Sequence, residues 1–202
     1  MFTRQGLLLT WKESRRYFVF ACLLFFASAF VGGATDTQVD WMNGQLEQFD
    51  EIRQEIEGSD TPERTMFFIL IGKNLLACVM AMGFGIMGAI MPIVVLVTNG
   101  LLLGYVLKLS SWNDQNVWLA VVKGILPHGV FELSAVFLAC AFGIRFGLTF
   151  LRGVSRSLTG KDEPWRPFAR TAIGAIPGLI AIVVLLLIAA LVESTVTYWL
   201  AT

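Results

Sequence analysis

Hydrophobic positions in this chain fall into long unbroken blocks rather than the short alternating runs of strands. Tyr17 to Ala34 holds no charge, and a bilayer core of about 30 Å takes about 20 apolar helical residues to cross. That block reads as a retained signal-anchor span. Residues 36–64 are polar. Met66 to Leu109 is then apolar for 44 residues with Lys73 as the single charge before Lys108, one residue from its end. This length fits two crossings joined by a tight turn at Gly83-Phe84-Gly85-Ile86-Met87-Gly88. A further block, Val117 to Leu151, is interrupted by Lys123 and by Pro127-His128-Gly129. The last block runs from Thr171 to Val192, where Pro177 removes a helix hydrogen bond and predicts a bend.

The expected fold is all-α: one membrane domain over 1–202, with five transmembrane helices. As one straight helix, Val117–Leu151 would extend about 52 Å, more than a crossing needs. Val117–Leu126 is therefore expected as an interfacial or re-entrant half-helix, with the Pro-His-Gly string as the break before the fourth span.

Within the polar segment, Met42, Leu46, Phe49, Ile52 and Ile56 recur at helical spacing and make one apolar stripe, with acids mostly on the other faces. Ser59-Asp60-Thr61-Pro62-Glu63 reads as a cap, an N1 proline and an acidic first turn. The stripe can lie over its own bundle or the lipid surface, or it can dock an extracytoplasmic envelope protein or a second subunit. Its acidic polar face disfavours simple adhesion to anionic lipid.

Composition supports the membrane reading. Of 202 residues, 56% are hydrophobic, and the mean hydropathy is +0.70. A soluble fold of this size buries only about 70% of its surface. A soluble enzyme, a disordered chain and a basic nucleic-acid binder are thereby excluded. The 15 basic and 15 acidic residues cancel in total but not in place. Arg4, Lys12, Arg15 and Arg16 precede the first span, and Arg145, Arg152, Arg156, Lys161, Arg166 and Arg170 surround the basic loop at 152–170. The loop at 36–64 has nine acids against Arg53 and Arg64. Lysine and arginine concentrate on the cytoplasmic side of membrane proteins. This predicts a cytoplasmic N-terminus, an outer acidic loop, an external C-terminus and residence in the cytoplasmic (inner) membrane. Cys22, Cys78 and Cys140 fall within spans and read as small buried hydrophobes.

Ionisable groups inside spans are expensive and raise a functional question. His128 and Glu132 lie at i and i+4 and share a helix face. Pro127 and Gly129 beside them suggest an opened backbone of the kind that builds ion or proton sites in transporters. The same pair can equally hold helix ends together, with Lys73 near enough to partner Glu132 or to snorkel outward. Asn74 and Asn99 are further polar groups able to join such a network. Two ligands fall short of the three or four that zinc takes, so no metal is expected. No catalytic constellation or cofactor fingerprint is recognisable. Small residues recur every fourth position in Ala77, Ala81, Gly85, Ala89 and again in Ala135, Ala139, Gly143, Gly147, with Gly100–Gly104 and Gly174–Gly178 as further pairs. Such ladders let helix backbones approach closely, within one subunit or across a homo-oligomer.

Asn99-Gly100 with Gly104, then Pro127-His128-Gly129 followed by Glu132, Leu133 and Ala135, and the continuation through Gly143 and Gly147, resemble the stage II sporulation protein M family. The likeness covers nearly the whole chain, and the Pro-His-Gly-x-x-Glu string is its most specific element. In spore formers the resemblance implies a polytopic scaffold that gathers peptidoglycan hydrolases at the septal membrane during engulfment; most members occur outside spore formers. The expectation is a non-enzymatic scaffold in the lipid bilayer that recruits cell-envelope partners through its outer helix, and binds no nucleic acid. The alternative is a small transporter or channel using His128 and Glu132.

Overall fold

A computed structural model describes residues 3–35, 40–112 and 126–197. The described residues are helical: α1 (Arg4–Ala34), α2 (Asp40–Glu57), α3 (Pro62–Gly83), a 3₁₀ turn (Phe84–Ile86), α4 (Ile90–Trp112), α5 (Leu126–Leu158), α6 (Arg166–Val192) and a terminal π turn (Glu193–Thr197). All of these helices except α2 are long and apolar enough to cross a membrane, which makes five. Leu23, Phe30, Leu76, Ile90 and Leu191 stand exposed along them, an outward apolar surface that lipid rather than water accommodates.

The helix α1 begins well before the apolar block that announced it. The Thr3 side chain accepts from the Gly6 amide at 3.3 Å, capping a helix that runs through the charged residues before Tyr17. Charge ends an apolar run but does not end a helix, because Lys, Arg and Glu are good helix formers. Pro62 opens α3 at N1, where its missing N–H costs nothing. Thr61 is the N-cap residue without a capping side-chain bond; Ser59 instead bonds Thr65 at 2.6 Å and accepts from the Thr61 amide at 3.2 Å. The expected turn between α3 and α4 is present, with Gly88 at φ +76° and Ala89 at φ +65°.

The break expected at Pro127-His128-Gly129 is not an interruption of the described helix. These residues form the first turn of α5, which then continues to Leu158. A proline in a first turn withholds an N–H that has no partner there anyway. The segment expected to be interfacial or re-entrant, along with Lys123, lies outside the described residues except for Leu126.

The most enclosed of the spanning helices is α5. On one side Tyr17, Ala21 and Phe25 of α1 meet Phe137, Cys140 and Ile144, and the Phe25 and Phe137 rings cross edge to face at 5.2 Å. On the other, Cys78 and Met82 of α3 and Ile182 and Leu186 of α6 enclose Ala135, Ala139 and Phe142. The glycines of the small-residue ladders meet neighbouring helices within the chain. A Cβ added at Gly104 would fall on the carbonyl oxygen of Ala29, and one at Gly32 on that of Leu101, so α1 and α4 meet backbone to backbone. Gly143 would strike the Ala81 carbonyl in the same way, and Gly85 the backbone of Gly143. Gly178 receives the Phe142 ring.

Both ends of α2 are held against the rest of the structure. Met42 and Ile56 are buried, Leu46 and Ile52 half-buried, and the Tyr105 hydroxyl donates to Asn43 Oδ1 at 3.3 Å. Phe49, in the middle of the same stripe, stays 53% exposed.

Candidate functional site

Consecutive antiparallel helices bring the start of α5 beside the end of α6, and their polar residues meet there. His128 sits in the first turn of α5, and Glu132 one turn further along the same face. The π turn that follows α6 supplies Glu193. Such wide turns are uncommon and concentrate at functional positions. His128 Nε2 lies 3.6 Å from a Glu193 carboxylate oxygen, with side chains 12% and 17% exposed. One donor atom each from His128, Glu132 and Glu193 lies within 4.8 Å of the others.

Other elements complete the cluster. Asn74 of α3 engages the Glu132 carboxyl through its side chain. Glu132 also faces Cys78 and lies close enough to Glu193 for their charges to repel. Two carboxylates in a low-dielectric setting favour a shared proton or a bound cation, because two adjacent negative charges there are costly. One imidazole and two carboxylates also match a three-ligand set that leaves positions open on a divalent ion. No buried side-chain nitrogen or oxygen among the described residues lacks a hydrogen-bond partner.

The sequence-derived residues are only partly assembled here. His128, Glu132 and Asn74 meet, with Pro127 and Gly129 forming the turn that carries them. Lys73 does not join: its side chain is exposed on the outer face of α3, and the described ion pairs do not include it. Asn99 is exposed on α4 and donates to its own Val95 carbonyl at 2.8 Å. Gly100 serves packing, since a Cβ there would press on the Phe25 carbonyl. Sequence reasoning missed Glu193, which stands one residue past the last apolar block. The available signal was topological parity, since the end of the fifth span must share a membrane side with the start of the fourth.

A second polar centre lies toward the opposite end of α5. Arg145 is buried, its side chain 6% exposed, and it pairs with Glu13 of α1. It also donates to Ser14 Oγ at 3.0 Å. Arg170 of α6 reaches the other Glu13 oxygen at 2.8 Å. One carboxylate thus ties three helices together. Sequence reading counted Arg145 only as part of the basic cytoplasmic set. On α2, Arg53 donates to Glu57 at 2.8 Å, which holds that exposed guanidinium even more firmly protonated than usual.

The family model described as stage II sporulation protein M matches residues 17–198. Neither the curated proteins nor the solved structures include a match to the chain.

Proposed function

The chain belongs to the stage II sporulation protein M family, and from that premise we propose that it is a non-enzymatic scaffold of the cytoplasmic membrane. Its N-terminus would lie inside, its C-terminus outside, and its outer helix would recruit cell-envelope proteins such as peptidoglycan-remodelling enzymes. The observation that carries this reading is α2. It is an acidic 18-residue helix held at Met42 and Ile56, with Phe49 left exposed among Glu47, Asp50 and Glu51 and Trp41 exposed in its first turn. A rigid base suits that role, and the backbone-to-backbone contacts of α1 with α4 and of α3 with α5 provide one.

A second reading is favoured by the convergence of His128, Glu132 and Glu193 within 4.8 Å. It makes the chain a small transporter or channel that moves a proton or cation through this cluster.

One experiment separates the two. Full-length protein carrying Phe49→Asp or Glu132→Gln is expressed in its host, recovery of peptidoglycan hydrolases with it is measured, and cation and proton flux is followed in proteoliposomes. The scaffold reading expects hydrolase recovery to fall several-fold with Phe49→Asp and to survive Glu132→Gln. A flux present in the wild type and abolished by Glu132→Gln, with recovery untouched by Phe49→Asp, overturns it in favour of transport.

A further inference from the structure

At the end of the bundle away from His128, the termini of α1, α5 and α6 surround a cavity of about 560 Å³. Six arginines face it (Arg16, Arg145, Arg152, Arg156, Arg166 and Arg170) against Glu13, Asp162 and Glu163. Two of those acids are already engaged, Glu13 by Arg145 and Arg170, and Glu163 by Arg166 at 2.8 Å. Arg16 stacks on the Tyr17 ring at 4.7 Å and donates to its hydroxyl at 2.8 Å, which fixes its guanidinium at the rim. Arg152 and Arg156 stand one turn apart on α5 and make no ion pair among the described residues. With Asp162 as the remaining acid, the cavity keeps an excess of positive charge. Guanidinium forks match phosphate oxygens in pairs, so the chemistry selected is a phosphate or phosphodiester.

The cavity does not end in polar surface. A second groove, of about 490 Å³, shares Arg16, Tyr17 and Arg152 with it and is otherwise apolar, lined by Phe20, Ile93, Ile144 and Leu148. A free phosphate would engage the arginines of the first space and leave the second empty. A neutral hydrocarbon would do the reverse. Only a molecule with an anionic head and a hydrocarbon chain joined within a few ångströms satisfies both, and the bilayer supplies that class. Basic pockets between transmembrane helices are suited to such head groups.

We propose that this end of the bundle binds one anionic phospholipid, its phosphate held by Arg16, Arg152 and Arg156 and one acyl chain lying along the Phe20–Leu148 groove. The site is independent of the outer helix and of the His128 cluster, so it stands whichever function holds.

The full chain, purified in a neutral detergent, is titrated with phosphatidylglycerol, with phosphatidylcholine of the same acyl chains, and with inorganic phosphate. Lipid adducts are counted by native mass spectrometry and the unfolding midpoint is followed in parallel. Phosphatidylglycerol is expected to give one saturable adduct and a raised midpoint, while the other two give neither. Each surface arginine contributes about 1 kcal/mol toward an anionic head group, so R152A/R156A should bind about 30-fold more weakly. Leu148→Trp, which fills the groove and leaves the arginines in place, should also weaken lipid binding. Equal stabilisation by inorganic phosphate with Leu148→Trp silent would make this a soluble-anion site. Equal binding of phosphatidylcholine, or full binding by R152A/R156A, would leave only non-specific lipid contact. Each of these results overturns the proposal.

Discussion

Arg145 places a full positive charge about three-fifths of the way along a membrane helix, and Glu13, 132 residues earlier in the chain, makes that tolerable. Removing one member of a buried pair leaves the other uncompensated, at a cost of about 3 kcal/mol or more. Glu13→Gln strands the buried Arg145 with only the Ser14 hydroxyl and should therefore lower the unfolding midpoint in detergent sharply. Because Glu13 keeps Arg170 and is about one-third exposed, Arg145→Met should cost less. The double variant should be no worse than Glu13→Gln alone, which thermal unfolding of all three would check; additive losses would refute the pairing. The pairing is not legible in sequence, because an arginine six residues inside the end of an apolar block looks the same whether it meets solvent or a partner. His128 and Glu132 were legible, since titratable groups inside an apolar run stand out and their spacing puts them on one face. Glu193 was not, because it follows its apolar run by a single residue. Lys73 was conspicuous yet stands apart, its long stem turning outward from the bundle.

At the level of helices, the repeat of small residues could be read directly, but the partners of each ladder could not. Spacing shows which face is flat and does not show what lies against it. The structure pairs Gly32 and Gly104 across α1 and α4, and Gly85 and Gly143 across the α3 turn and α5. Gly104→Ala should then force α1 and α4 apart and lower the unfolding midpoint, although it raises both hydropathy and helix propensity. Gly72→Ala is the matched control, because a Cβ there meets nothing within 4 Å. It should be neutral, or stabilising by up to about 1 kcal/mol from propensity alone. Equal effects of the two substitutions on the midpoint would remove the ladder from the account. Helix α2 was legible to within two residues at either end, since its stripe has helical period. The exposure of Phe49 between buried Met42 and Ile56 was not, because periodicity gives a direction and not the shape of the surface beneath. The Pro-His-Gly string opens the described part of α5; proline has two meanings in a helix, and only its position separates a first turn from an interior kink.

For the molecule as a whole, a net charge of zero conceals an acidic end and a basic end. The proposed orientation follows from that separation and can be checked with single cysteines. Cys78 and Cys140 are buried and Cys22 is half-buried within α1, so labelling by a membrane-impermeant maleimide should report introduced, exposed positions. In intact cells Asp50→Cys should react and Ser157→Cys should not, with Ser157→Cys becoming reactive after permeabilisation. The reverse pattern would invert the topology. The same separation of charge has an electrical consequence. Glu13 and the six arginines of the cavity stand near the start of α1, whereas the acids of α2 follow the end of that helix. The chain therefore carries a dipole along α1, and a voltage across the bilayer acts on it with about 2.3 kcal/mol per elementary charge moved through 100 mV.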